Sequence, residues 1–379
     1  MTLTLVLFFI FGTLASQAMS RTIHEASIAN KHEQWMATYG RKYESKSEKE
    51  KRFNIFKDNL EYIESFNKAG NRSYKLGINE FADMTHDEFL AAHTGYKMPH
   101  NPTTSISTSF RYENFSEVPT SLDWREKGAV TAIKYQGTCG CCWAFSAVAA
   151  IEGIIQISTD NLISLSEQQL LDCSTNGNHG CEGGWMMNAF EYVMQNKGIT
   201  KEETYPYQAI QGTCDMEKVA AQVVDISGYE MVPANDEEAL LKAVTNQPVS
   251  VALDGSGLDF QHYKTGVFNG DCGTSMTHAV TIIGYGTNEE GKNYWLIKNS
   301  WGESWGENGY MKIERDVNTP IGSTRKQCHN LKGLKVAVPK GAALLPYKFL
   351  STQCHDGHGG GLWRWLENIK KESVERYGA

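Results

Sequence analysis

The 379-residue sequence predicts an α+β body in two halves with a separate helical segment ahead of it, and three observations carry that expectation. Helix-favouring stretches around Trp143–Ile157 and Ser166–Leu171 come first in the body, and strand-like apolar runs at Val249–Leu253 and Ala279–Tyr285 come later. A stretch rich in Pro, Thr and Ser, Met98–Ser109, reads as a protease-accessible linker between this body and a charged, helix-favouring N-terminal part. The length agrees, allowing two or three units with tails.

At the start of the chain, the apolar run Leu5–Leu14 is short and ends near Ser16-Gln17-Ala18. That is the pattern of a cleavable signal peptide over residues 1–18 rather than a membrane span, although no Lys or Arg precedes it. No other run is expected to anchor the chain in a membrane. The secretory route makes disulfides permissible, and nine cysteines, being odd, leave at least one thiol free. Two sequons, Asn71-Arg72-Ser73 and Asn114-Phe115-Ser116, become glycan acceptors on this route. The charge balance, 44 acidic against 36 basic residues with no basic block, argues against nucleic acid as a partner.

From His32 to Lys68 the residues Glu48, Arg52, Phe56, Asn59, Ile63 and Asn67 recur at steps of four or three and share one helical face. An ordinary amphipathic helix is the simpler alternative, but a face mixing Glu, Arg and two Asn with Phe and Ile suggests a polar network built into a helix pair. The next stretch, Gly77-Ile78-Asn79-Glu80-Phe81-Ala82-Asp83, reads as extended.

The chemistry concentrates in Gln136-Gly137-Thr138-Cys139-Gly140-Cys141-Cys142-Trp143-Ala144-Phe145-Ser146. A cysteine at a helix start has its thiolate stabilised by the helix's positive end, and a nearby imidazolium lowers its pKa further; Cys142 stands at such a start. Gln136 can aim its amide at an oxyanion formed by attack on a carbonyl, beside the Cys142 backbone N–H. The base is sought far off in sequence, and His278 enters an apolar strand in Met276-Thr277-His278-Ala279-Val280. Asn299, in Asn299-Ser300-Trp301-Gly302, supplies a neutral amide for one ring nitrogen, with Trp301 shielding that bond. Neutral Asn suits a thiolate–imidazolium pair, whose positive charge the cysteine already compensates. A metal reading of Cys139, Cys141 and Cys142 is poor, since the spacing is tighter than C-x₂-C and no second pair completes it. Neither metal nor cofactor is expected.

These residues resemble the papain family of cysteine proteases, and more narrowly its plant senescence-associated type. The family signature is C-G-[SA]-C-[WY] followed by His and Asn about 130–150 residues downstream; here His278 and Asn299 follow Cys142 by 136 and 157 positions. Cys141 departs from the signature, either as a small thiol tolerated in the Ser/Ala place or as a redox partner of the nucleophile. The resemblance implies a papain-like body over 118–322, helical in its left half and β-barrel-like in its right, preceded by an inhibitory propeptide over 19–117. The helical part of that propeptide is expected over about 29–90 and its linker over about 96–117. The Glu48/Arg52/Phe56/Asn59/Ile63/Asn67 face and the Gly77/Asn79/Phe81/Asp83 stretch look like the two propeptide motifs, so the chain's own propeptide is expected to cross the groove opposite to substrate. The family pattern further implies bridges Cys139–Cys181 and Cys173–Cys214, each typically worth about 2–4 kcal/mol. It also implies a peptide-binding ledge at Gly183-Gly184 and an apolar S2 pocket with Trp185, Met186, Ala252 and Ala279, Trp301 completing the substrate-binding set. Core packing is the alternative for Trp185 and Met186.

The resemblance ends near Pro320-Ile321-Gly322, and residues 323–379 look like an altered reading frame, a splice product or a replacement tail. The family's usual cysteine is absent there, leaving Cys272, Cys328 and Cys354 with at most one further pair. The expectation is a missing closing strand and a poor S2 floor, unless Leu334–Val338 or a neighbouring segment takes that place. The resemblance as a whole implies a cysteine endopeptidase made as an inactive precursor, monomeric, acting on proteins and peptides with an apolar P2 residue, in a vacuole, a lysosome-like compartment or the extracellular space. A catalytically impaired homologue acting as a binding or inhibitory protein is the alternative. A thiol oxidoreductase is a weaker one, for want of a C-x-x-C pair.

Overall fold

The computed structural model describes residues 24–98, 110–233, 236–270, 275–315 and, as a strand, 336–344. The signal-peptide run, most of the Met98–Ser109 linker, and Cys272, Cys328 and Cys354 lie outside the described residues.

The N-terminal part is α1 (24–38), α2 (Lys46–Lys68), the short strand β1 (Tyr74–Leu76) and α3 (His86–His93). Helix α2 starts where Ser45 accepts the Glu48 N–H, and α3 starts in a capping box between Thr85 and Glu88. The polar face of α2 serves a helix pair in part, through the ion pair of Arg52 with Glu88 of α3, and otherwise fastens the chain between the two helices. Arg52 pairs with Glu48 and Glu88 and donates to the Asp83 carbonyl; Asn59 donates to the carbonyls of Ala82 and Met84; Asn67 exchanges two hydrogen bonds with Leu76. Besides that pair, the network fastens the chain that follows the helix through its backbone carbonyls. Phe56 and Ile63 are buried. The extended reading of 77–83 holds only to Asn79: its side chain accepts the Phe81 N–H, and the bonds Ala82 N–H to Asn79 O and Met84 N–H to Phe81 O fold 80–84 into turns.

The body begins with β2 (Leu122–Asp123) and continues α4 (Cys142–Thr159), α5 (Glu167–Cys173), α6 (Met186–Gln195), α7 (Met216–Val219), β3 (Val224–Met231), α8 (Glu237–Asn246), β4 (Val249–Leu253), α9 (Leu258–Gln261), β5 (Tyr263–Phe268), β6 (His278–Thr287), β7 (Asn293–Lys298), β8 (Tyr310–Glu314) and β9 (Val336–Leu344). Helices first and strands later is the order expected. One apolar cluster gathers α4 and α6 with Leu165, Leu170 and Ile199; a second gathers the strands β4 to β8 with Trp295, Trp301 and Trp305. Helix α4 is apolar and long enough to cross a membrane by length and composition, but most of it is buried in the body's core.

The sheet runs β1-β5-β8-β7-β6-β4-β9-β3, with β2 added on β6. Two of its strands come from outside the stretch expected to form the body. β1 pairs antiparallel with β5, so the N-terminal segment extends the sheet at an edge. β9 lies between β3 and β4, antiparallel to both, with Val224 opposite Leu344 and Ser250 opposite Ala337. The expectation of a missing closing strand is thus overturned: a segment of the divergent tail takes the place. The reason is that β3 and β4 each present a row of N–H and C=O groups that must find partners.

Candidate active site

Cys142 is the first residue of α4, with Cys141 at the N-cap, so its thiol sits at the positive end of an 18-residue helix. The apolar spacing along the helix holds it there, burying Trp143, Ala147, Ile151 and Ile155. His278 opens β6 and Asn299 follows β7, neighbouring antiparallel strands whose register places Thr281 opposite Lys298. The pairing brings the two side chains together: His278 Nε2 lies 2.8 Å from Asn299 Oδ1. The same Oδ1 accepts the Ser300 N–H at 2.8 Å, which identifies it as the oxygen and makes Nε2 the donor. The ring's acceptor lone pair is then on Nδ1, a buried atom with no hydrogen-bond partner. Cys142 Sγ accepts the backbone N–H of Ala279, the residue after His278, at 3.4 Å. Trp301 stacks on the His278 ring at 4.4 Å, covering the bond to Asn299.

Gln136 is fully buried on the other side. Its Oε1 accepts the Ser300 hydroxyl at 2.6 Å, so Nε2 faces outward and donates to Cys139 O at 2.8 Å and to His93 O at 3.3 Å. Ser300 is a positioning group that residue-by-residue reading passed over, although it stands between Asn299 and Trp301. Beneath the site a buried polar chain joins the halves. Lys298 donates to the Thr131 hydroxyl (2.7 Å), which donates to Glu152 on α4 (2.6 Å), and Lys134 joins Glu152 to Glu167. Lys298 precedes Asn299, and Lys134 lies two residues before Gln136. Leaving one of these charges unpaired would cost about 3–5 kcal/mol, which holds both loops in place.

The groove over Cys142 is filled by the chain's own residues 93–97. Gly95 and Tyr96 donate N–H bonds to Thr277 O, Gly95 O accepts the Gly184 N–H at 2.9 Å, and Lys97 N–H donates to Gly184 O at 2.8 Å. Tyr96 and Gly184 form a parallel bridge. Tyr96 is buried in one apolar cluster with Trp185, Met186, Ala252 and Ala279. Gly183 adopts φ +112, and a Cβ there would lie 2.6 Å from Gly95 O, so the ledge needs glycine. With the groove filled, burial pushes the Cys142 thiol up to about 12 against the pull of the Ala279, Trp143 and Gly95 N–H groups. Burial likewise lowers His278 to about 4, against the Asn299 hydrogen bond. Both groups are therefore neutral in this state.

Further out, Cys139–Cys181 and Cys173–Cys214 are bonded, and Cys141 and Cys142 are the free thiols among the described residues. Gly77 donates to His262 O and Asn79 to Gln261 O, tying the N-terminal segment to the chain around α9; Phe81 packs edge-on to Trp301, and Asp83 accepts the Tyr43 hydroxyl. Asn71 and Asn114 are exposed.

Residues 118–331 match the family described as papain family cysteine protease, and residues 32–89 match the cathepsin propeptide inhibitor domain. The chain is similar to the senescence-specific cysteine protease SAG39 of Oryza sativa subsp. japonica, 52% identical over 84% of this chain and 94% of that protein. It is also similar to the senescence-specific cysteine protease SAG12 of Arabidopsis thaliana, 51% identical over 81% and 90%. Among solved structures, a recombinant stem bromelain precursor matches with a TM-score of 0.75 at 45% identity, covering 83% of this chain and 99% of that one. The proform of the ragweed pollen allergen Amb a 11, a cysteine protease, matches with 0.73 at 40%, covering 83% and 94%. With both the peptidase body and the inhibitor domain matched in order, this chain belongs to the papain family of cysteine proteases and is a cysteine endopeptidase made as a zymogen.

Proposed function

We propose that Cys142 is the nucleophile, His278 its proton partner, Asn299 the group that orients His278, and Gln136 an oxyanion donor. The observation that carries this reading is the chain of contacts from Asn299 Oδ1 through His278 to the Ala279 N–H on Cys142 Sγ, at a helix start, with Gln136 Nε2 turned to the same groove. Once the groove is cleared, the thiol gives its proton to His278 Nδ1 and the thiolate attacks the scissile carbonyl. The oxygen then takes its negative charge against Gln136 Nε2 and the Cys142 N–H, and the imidazolium returns the proton to the leaving amine. Water hydrolyses the acyl-enzyme with His278 as base.

Residues 19–117 serve as the propeptide and 118–322 as the peptidase domain, to which the divergent tail 323–379 adds the strand β9. The burial of Tyr96 among Trp185, Met186, Ala252 and Ala279 supports an S2 pocket there and a bulky apolar P2 residue. The two disulfides and the exposed Asn71 and Asn114 sequons support the secretory route and glycosylation, with a vacuolar or extracellular destination. The test is to acidify the expressed precursor and look for a shortened form that an epoxide thiol-protease probe labels on Cys142. Cys142→Ser and His278→Ala should abolish peptide cleavage and self-maturation while leaving the fold intact. Asn299→Ala should lower kcat without abolishing it. Near-normal turnover by purified Cys142→Ser would overturn the assignment.

A further inference from the structure

Two thiols stand side by side at the start of α4, and the reading above needs only one of them to ionise. Cys141 is fully buried, and its Sγ lies 2.9 Å from the hydroxyl of Tyr207. That hydroxyl also lies 2.7 Å from the carbonyl oxygen of Gln136. A phenol has one proton and a carbonyl has none, so the proton of Tyr207 is directed to Gln136 O, and Cys141 has to be the donor to the phenol oxygen. The ring is held for this task, edge-on to Phe145 of α4 at 4.9 Å, with the Tyr207 N–H bonded to Glu202. Tyr207 therefore clasps the backbone of the oxyanion donor and the residue preceding the nucleophile in one three-membered chain, Cys141 to Tyr207 to Gln136.

We propose that Tyr207 is a positioning residue with two effects: it fixes the Gln136 segment of the oxyanion site, and it keeps Cys141 a protonated thiol so that Cys142 alone of the pair is nucleophilic. This rests on the proposed roles of Cys142 and Gln136. If Cys141 ionised, its thiolate would face a phenol oxygen whose proton is committed elsewhere. Turning that proton to sulfur would strip the buried Gln136 carbonyl of its hydrogen bond. Burial pushes the Cys141 thiol up and outweighs the Tyr207 hydrogen bond, which favours the thiolate only with the phenol proton turned to sulfur. The arrangement also explains how cysteine is accepted where the family signature has Ser or Ala: a thiol that only donates does the work of a small hydroxyl.

Tyr207→Phe keeps the ring against Phe145 and removes only the hydroxyl. In the full-length Cys142→Ser chain, iodoacetamide alkylation of Cys141, located by peptide mass spectrometry, should be about tenfold faster with Tyr207→Phe, the equilibrium worth of one good net hydrogen bond. An unchanged rate overturns the proposal. In the otherwise parental, acid-matured enzyme, Tyr207→Phe should lower kcat several-fold at constant KM, and Cys141→Ser, which can make the same donation, should keep the parental kcat. A raised KM with unaltered kcat would assign Tyr207 to substrate binding and overturn the positioning role. Should Tyr207→Phe fail to fold, the pH profile of Cys141 alkylation in the Cys142→Ser chain decides instead. A rate that stays low past the ordinary thiol range supports the clasp, and one that tracks a free thiol overturns it. None of the alkylation measurements depends on turnover, so their failure is distinguishable from failure of the Cys142 assignment, which peptide cleavage by Cys142→Ser would expose.

Discussion

Two segments outside the expected body boundaries add β structure to it, and they do so in opposite ways. The N-terminal segment lays three residues, Tyr74–Leu76, on the edge strand β5 and passes His93–Lys97 through the groove on backbone hydrogen bonds. It is also anchored by side chains, the hydroxyls of Tyr62 and Tyr74 both donating to the carboxylate of Asp259 on α9. The tail strand β9 spans nine residues and is inserted between β3 and β4. An edge addition can leave and return its polar groups to water, whereas removing an inserted strand strips two neighbours at once. The first design suits an inhibitor that must depart, and the second suits a part that must stay.

The contrast breaks most plainly at β9. Deleting residues 336–379 should unpair both β3 and β4 and lower the Tm by about 10 °C or more, given roughly 2–4 °C per kcal/mol for a body of this size. Thermal unfolding checks it, and a deletion as stable as the parent would mean that β9 contributes nothing. By the same argument, exchanging 323–379 for an ending of the family's usual type should now change the Tm little.

On the inhibitor side the largest effect belongs to Gly95. A Cβ there would lie 1.9 Å from the Gly140 carbonyl oxygen, which is backbone and cannot give way. Gly95→Val in a separately supplied propeptide should raise its inhibition constant by about a hundredfold or more, the few kcal/mol an overpacked contact costs. Inhibition at the parental constant would show that the groove strand is not what silences the enzyme.

A smaller loss is expected from Asp259→Asn, which removes the charge that two phenols share. Hydrogen bonds to a charged group contribute about 1.5–3 kcal/mol, so the inhibition constant should rise by about tenfold to a hundredfold through faster dissociation. With a Tyr74→Phe propeptide the combined loss should be smaller than the sum of the two single changes. Strictly additive effects would mean that the residues do not act together.

The smallest effect is one of pH. His93, buried among Phe81, Phe89 and Trp301, is lowered to about 4 chiefly by burial, aided by the Arg41 charge; His278 is lowered to about 4 and His262 to about 3, each chiefly by burial. Free histidine titrates near 6.5, so a separated propeptide takes up at His93 a proton that the docked state refuses, while His278 adds none, because once the groove is cleared its proton comes from Cys142. Docking is therefore at full strength above about 6.5 and weakens as pH falls toward 4. Glu88 behaves differently: burial raises it, but Arg52 and the Thr85 N–H prevail and bring it to about 2. Its contribution to the fold of the propeptide is present above about 4.5 and is lost only as pH falls toward 2, so release should precede unfolding. His93→Phe should flatten the ratio of inhibition constants between pH 7 and pH 5 by a few-fold, and an unaltered ratio would assign release to other groups.

The sequence alone determined whatever depends on near neighbours. The Gln136–Ser146 stretch showed a thiol at a helix start, the four- and three-residue steps from Glu48 to Asn67 showed one helical face, and the order of helices before strands showed an α+β body. Each is a matter of periodicity or of composition within one turn, so no distant partner is needed to read it. Tertiary structure decided the rest. That the α2 face fastens the following chain as well as α3, that Asp259 meets Tyr62 and Tyr74 across 197 and 185 positions, and that Tyr207 clasps Cys141 could be known only once the chain had folded back on itself. The place of β9 was decided in the same way: its sequence departs from the family's, but unpaired backbone on β3 and β4 accepts any strand that reaches it, because backbone hydrogen bonds carry no side-chain identity.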